Sequence, residues 1–169
     1  MRVQLYSEAI VYDNGFGDRL GSRRDGRRAM GGGKMANRMK TVRFKKVADV
    51  MHTDVATIDG SETVTRAIAM MRKKKVSSLV VNRRTHDDAW GIVTRKDIVN
   101  DVVDPGKDPK SVKVHEIMTK PVIMVSPGLA LKYCARLLHN SGIRRAPVFD
   151  GKEIVGIISN TDIFNAIEA

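Results

Sequence analysis

Two octapeptides carry the residue types that could do chemistry. They are Gly91-Ile92-Val93-Thr94-Arg95-Lys96-Asp97-Ile98 and Gly156-Ile157-Ile158-Ser159-Asn160-Thr161-Asp162-Ile163. Each runs from an apolar strand-like stretch through a hydroxyl residue to an aspartate three positions later. A carboxylate accepts hydrogen bonds from two vicinal hydroxyls, so Asp97 and Asp162 suit a ribose. Thr94 and Ser159 fall where a helix begins, and the free N–H groups there attract phosphate. The same residues also have a plainer reading, with Thr94 and Ser159 as N-caps and each aspartate as a favourable first-turn acid. One octapeptide alone favours the plainer reading; its duplication argues for a ligand.

The duplication is extensive. An offset of 67 aligns the stretch from Val47 to Arg83 without gaps, placing Val47 on Val114, Met51 on Met118, Val55 on Val122 and Val81 on Val148. The offset falls to 65 at Gly91/Gly156, because the first copy has a longer turn. The shared apolar pattern carries more weight than identity, and two copies imply a paired module rather than a solenoid. Arg144 and Arg145 precede the strand at Pro147, and arginine offers a planar fork for phosphate oxygens. The matching residues of the first copy are Ser77 and Ser78, which bring no charge. The two half-sites are therefore unequal, with one dominant anionic site expected. Arg95 and Lys96 read most simply as solvated.

Catalytic signals are poor. His52, His86, His115 and His139 are scattered and lack metal-ligand spacing. Gly31-Gly32-Gly33-Lys34 lacks the spacing of a P-loop, and Asp87-Asp88 beside Trp90 reads as a solvated turn. Cys134 lies on an apolar helix face and reads as a core residue. No enzyme, metal site or obligatory cofactor is expected.

The chain has 169 residues, 42% apolar and 29% charged, with aromatics at only 5%. This suits a globular protein with an aliphatic core. One cysteine excludes an intrachain disulfide and fits a reducing cytosol. No apolar run approaches the roughly 18–20 residues of a membrane span. No secretory signal pattern opens the chain, so a cytoplasmic location is expected. The formal net charge of +11 favours anionic partners. Residues 1–39 read as a disordered Gly/Arg-rich tail containing the Arg23–Arg28 cluster. Met30, Met35 and Met39 are candidate translation starts beyond most of it. The tail supports an alternative function, nucleic-acid binding, against which the scarcity of stacking aromatics argues.

Around these residues the pattern predicts elements. Lys45–Met51 forms a helical turn and Thr53–Ile58 an extended segment. Asp59 and Glu62 form a capping box before a helix whose apolar face is Val64, Ala67, Ile68 and Met71. Leu79–Val81 and Gly91–Val93 are strands, with a helix over 95–103. In the second copy, Ser126 is the N-cap and Pro127 opens the helix. Leu131, Cys134, Ala135 and Leu138 form its apolar face. Strands over 147–149 and 154–158 meet at Asp150-Gly151, and a helix covers 160–167. The fold class is α/β (α+β): two pseudo-symmetric β-α-β-β-α repeats packed sheet to sheet around a shared core. The divisions are 1–39 (tail), 40–103 (first repeat), 104–113 (linker) and 114–169 (second repeat).

This arrangement resembles a tandem pair of CBS (cystathionine β-synthase type) domains, a stand-alone Bateman module. Val47-x-Asp49-Val50-Met51, Val114-x-Glu116-Ile117-Met118, Gly142-Ile143-Arg144-Arg145-Ala146-Pro147-Val148 and the two octapeptides carry the resemblance. It implies a regulatory module that binds an adenosyl ligand (AMP, ADP, ATP or S-adenosylmethionine) between the repeats. It also implies homodimerisation and signalling to a regulated protein. Thr94, Asp97, Ser159 and Asp162 would hold ribose, and Arg144 and Arg145 phosphate. Val55, Ala56, Val122, Ile123, Ile143, Ala146 and Pro147 would surround the base.

Overall fold

Repetition in sequence becomes repetition in space. The computed structural model describes residues 2–6, 9–13 and 45–168. Two strands come first, β1 (Arg2–Tyr6) and β2 (Ala9–Asp13), paired antiparallel. The first repeat contains β3 (Thr57–Ile58), α1 (Val64–Lys73), β4 (Ser78–Val81), β5 (Gly91–Thr94) and α2 (Arg95–Ile98). A π-helical stretch, Val99–Val103, continues α2. The second repeat contains β6 (Met124–Val125), α3 (Leu131–Asn140), β7 (Arg145–Phe149), β8 (Ile154–Ser159) and α4 (Asn160–Glu168). A short 3₁₀ turn leads into each, at Val47–Asp49 and Val114–Glu116.

The two sheets share one plan. β3 lies parallel to β4 and β4 antiparallel to β5; β6, β7 and β8 repeat that order. β2 joins parallel to β6, so the second sheet has the order β1-β2-β6-β7-β8. These two strands are the described parts of the tail expected over 1–39. Their sequences are rich in strand-forming types such as Val3, Ile10, Val11 and Tyr12, and β6 offers them an edge. The Arg23–Arg28 cluster lies outside the described residues.

Both helix starts sit four residues later than the capping signals suggest. The N-cap of α1 is Thr63, whose side chain accepts from the Arg66 N–H at 3.3 Å. Asp59 instead accepts from the N–H and hydroxyl of Ser61, at 2.8 and 2.7 Å. In α3 the N-cap is Ala130, while Ser126 accepts from the Gly128 N–H at 3.2 Å. Asp and Ser bond readily to backbone two residues on, so each signal closes a turn rather than capping a helix.

The helices end alike too. Val76 N–H bonds Met71 C=O at 3.0 Å and Lys75 N–H bonds Arg72 C=O at 3.2 Å. Ile143 and Gly142 do the same to Leu138 and His139, at 3.0 and 3.1 Å. These are paired Schellman closures, and each needs a left-handed residue. Gly142 supplies it at φ 64°, and Lys75 at φ 54°.

Each repeat buries its own core instead of sharing one. The first gathers Ile58, Val64, Ala67, Met71, Leu79, Val81 and Val93, and the second Leu131, Cys134, Leu138, Ala146, Val148 and Ile158. A smaller cluster of Ile92, Val122, Met124 and Phe149 joins the two sheets. Facing strands cannot fill two helix–sheet layers at once, so the interface between sheets forms a third, thinner layer.

The lead-in segments change places. Val112, Val114 and Ile117, from the linker and the start of the second repeat, pack in the first core, whereas Val47, at the start of the first, packs in the second. Val47 N–H bonds Leu129 C=O at 2.9 Å, and Val114 N–H bonds Glu62 C=O at 2.9 Å. His52 pairs with Ile157 of β8, and Thr119 with Ile92 of β5. Gly91 and Gly156 permit this approach. A Cβ on Gly156 would meet Met51 Sδ at 2.6 Å, and one on Gly91 would meet Met118 Sδ at 2.9 Å. Spatially, each half of the molecule contains the entrance of the other repeat.

Candidate functional site

The exchange of entrances decides which residues face the duplicated aspartates. β8 delivers Ser159 to the start of α4, and Asp162 lies one turn on. Asp162 Oδ2 accepts from the Ser159 N–H at 2.7 Å and from its hydroxyl at 2.6 Å. Asp162 Oδ1 lies 2.9 Å from Nε2 of His52, which arrives on the first repeat's entrance segment. Asp162 is only 12% exposed and His52 71%. A largely buried carboxylate thus sits between two repeats with one oxygen committed to its own helix cap.

The first copy builds the same cap without the histidine. Asp97 Oδ2 accepts from the Thr94 N–H at 2.7 Å and the Thr94 hydroxyl at 2.8 Å. The Asp97 N–H returns a bond to Thr94 Oγ1 at 3.4 Å, completing a capping box. Thr119 occupies the position that corresponds to His52. The capping reading therefore describes both acids, and Asp162 alone of the two also meets the neighbouring entrance, through His52.

Strand register brings the arginines alongside. Arg145 pairs with Ser159 across β7 and β8, as Ser78 pairs with Thr94 across β4 and β5. Arg144 is exposed and Arg145 half-buried. The Arg145 guanidinium donates through Nη1 to the hydroxyls of Ser77 and, at 3.1 Å, of Ser78. Ser78 is the one buried polar side chain among the described residues, at 4% exposure. Burial lowers the pKa of Arg145 from its usual value; the charges of Arg95 and Arg144 add to this, and Asp162 opposes it. Arg95 bonds within the first repeat, donating to the Val76 carbonyl at 3.0 Å.

The residues expected around the base divide between the two sides. Val55 and Ala56 follow the entrance that pairs with β8, on the Asp162 side. Val122 and Ile123 follow the entrance that pairs with β5, on the Asp97 side. Val55, Ile123 and Ile143 are half-buried, whereas Val122 is 5% and Ala56 6% exposed. Ala146 is fully buried in the second core and Pro147 is buried beside it. The side chains of Ala56 and Ala146 are occupied in packing, the Ala56 carbonyl accepts from the Val80 N–H at 2.9 Å, and Ala146 is paired with Ile158 across β7 and β8.

A family model for the CBS domain matches residues 47–104 and 114–169. The chain belongs to the CBS domain family. Its two CBS repeats are 33% identical over 123 residues to an uncharacterized protein of Methanopyrus kandleri, covering 72% of this chain and 62% of that one. They are 30% identical over 131 residues to the mitochondrial CBS domain-containing protein CBSX3 of Arabidopsis thaliana, covering 72% and 64%. The chain thus spans less than two thirds of the length of these curated relatives. A solved hexameric CBS-CP12 protein from bloom-forming cyanobacteria superposes with a TM-score of 0.70 at 45% identity, covering 72% of this chain and 71% of that one.

Two functional-looking contacts were not legible from the CBS pattern. His52 gave no signal because its partner lies 110 residues away and the exchange of entrances is invisible in an offset. Asp88, read as a solvated turn, pairs with Lys120 at 2.5 Å and accepts from the Arg84 N–H at 2.9 Å. Cys134 is buried as expected, and burial pushes its thiol up to about 12, so it is inert as a nucleophile. Among the described residues no cluster of His, Cys, Asp and Glu could hold a metal ion. No helix among them is long and apolar enough to cross a membrane.

Proposed function

We propose that the chain is a regulatory module that binds an adenosine-containing nucleotide (AMP, ADP, ATP or S-adenosylmethionine) between its CBS repeats and signals its occupancy to a protein partner. The observation that carries this reading is Asp162: a carboxylate held by Ser159 of one repeat, met by His52 of the other, with Arg145 in register beside it. Ribose hydroxyls and phosphate are the groups that such a set recognises. Ligand seated there touches both repeats, so it favours whichever angle between them it binds more tightly. In this reading the chain has no catalytic role, works in the cytoplasm as a homodimer or larger assembly, and carries no obligatory cofactor.

Titration calorimetry with AMP, ADP, ATP, S-adenosylmethionine and adenosine tests it. One of them should bind, and at 100 times its dissociation constant should stabilise the fold by about 2.7 kcal/mol in a thermal melt. Asp162→Asn should weaken the bound ligand by about tenfold or more, since a charged acceptor is worth about 1.5–3 kcal/mol. Loss of stability with unchanged affinity would reduce Asp162 to a helix cap, and silence toward every adenosyl compound would end the nucleotide reading.

A further inference from the structure

Arg144 and Arg145 have no counterpart in the first repeat, yet the structure does not leave that repeat without a cation. Arg145 crosses to it. Its guanidinium rests on Ser77 and Ser78, the residues that stand where the arginines would be. Ser77 is the meeting point: its hydroxyl accepts from Arg145, and its carbonyl accepts from the Arg95 N–H at 3.1 Å. Arg145 is in register with Ser159 on one side, and the Ser78 it touches is in register with Thr94 on the other. One guanidinium therefore stands between both hydroxyl–aspartate motifs. Among the described residues it makes no ion pair, and Arg95 and Arg144 crowd it with like charge.

We propose that Arg145, with Arg95 and Arg144, forms a single anion seat shared by both clefts, so that phosphorylated ligands occupy the two clefts of one chain one at a time. The proposal rests on the nucleotide reading above and specifies its regulation. A phosphate chain entering from either helix start reaches the same cations. A second one meets the charge of the first, with only serine hydroxyls left to receive it. Adenosine carries no phosphate and escapes the competition. The penalty on the second cleft grows from adenosine to AMP to ATP, which makes phosphate number the variable that the module reads.

The test is calorimetric stoichiometry on the intact chain with adenosine, AMP and ATP, alongside inorganic tripolyphosphate as a probe of the seat alone. ATP should fill one cleft per chain, with the second at least about tenfold weaker, inside the roughly 5–150-fold range typical of coupled sites. The two adenosine affinities should differ less than those for ATP. Tripolyphosphate should bind once per chain. Arg145→Gln should weaken ATP and tripolyphosphate by about tenfold or more and adenosine by less than about twofold. Arg144→Gln, at an exposed position, should weaken the same two ligands without touching the fold. Two equal ATP sites per chain overturn the shared seat while upholding nucleotide binding. Two tripolyphosphate sites, or affinity indifferent to both substitutions, overturn it as well. Tripolyphosphate bound once per chain with no adenosyl compound bound keeps the seat and removes the nucleotide reading instead.

Discussion

Asp162 and Asp97 serve equivalent helix caps. One oxygen of each closes the cap of the helix that follows, which is worth about 1 kcal/mol to a helix start. The other oxygen of Asp162 lies 2.9 Å from His52 Nε2 on the entrance of the opposite repeat. Under the proposed nucleotide reading a substitution at Asp162 mixes stability with recognition, and only a binding measurement separates them. Asp88 is a simpler case, because its partners are wholly structural. The hydrogen bond from Lys120, reinforced by the Arg84 N–H, draws its carboxyl down to about 2 from the usual carboxylate range. A carboxyl whose pKa is lower in the folded chain binds fewer protons there than when unfolded. Its contribution is thus complete above about pH 4 and is lost as the pH falls toward about 2. Asp88→Asn should lower the melting temperature at about pH 7 and flatten its decline between about pH 4 and about pH 2. Parallel melts of the two proteins across that window check it, and identical acid profiles would contradict the assignment.

Helix and strand periodicity was legible in the sequence, because apolar faces at Val64, Ala67 and Met71, or Leu131, Cys134 and Leu138, have one way to be buried. The helix starts were less legible: Asp59 and Ser126 satisfied their bonding in turns, and Thr63 and Ala130 took the cap positions. The exchange of entrances was not legible at all. A fixed offset says that two segments are equivalent, not which core each joins. Half of the candidate site followed from that exchange, since His52 reaches Asp162 only through it. One mismatch between otherwise equivalent elements gives a direct prediction. The closure of α1 places Lys75 in the left-handed region where the closure of α3 places Gly142. A side chain there costs about 1–2 kcal/mol, part of which a glycine gives back through the greater entropy of the unfolded chain. Lys75→Gly should therefore stabilise the protein by about 0.5–1 kcal/mol, a rise of roughly 1–4 °C in melting temperature at this size. Lys75→Ala serves as the control: it removes the same charge but keeps a Cβ, and it should give no such gain. Equal rises for both would assign the effect to charge instead.

The pseudo-symmetry also governs what the molecule leaves exposed. Among the described residues the exposed large apolar side chains are Val99 (52%), Val103 (61%), Phe164 (59%) and Ile167 (48%). Val99 and Phe164 are equivalent positions of the two repeats, one just past α2 and the other on α4. Two helices that close their repeats thus present matching apolar surface, while the rest of a chain of net charge +11 resists association. The proposed homodimer would cover that surface. Burying a phenylalanine from each copy contributes about 3 kcal/mol or more, which corresponds to at least about a hundredfold in the dissociation constant. Phe164→Asp should therefore shift the protein to monomer in light scattering at concentrations where the unmodified chain is dimeric or larger. Because Phe164 is outside both cores, the substituted chain should keep its helical circular dichroism. Added salt should tighten the unmodified assembly by screening like charges, yet fail to restore the variant, whose loss is apolar area. An assembly that survives Phe164→Asp unchanged would place the contact away from α4 and separate the exposed pair from dimerisation.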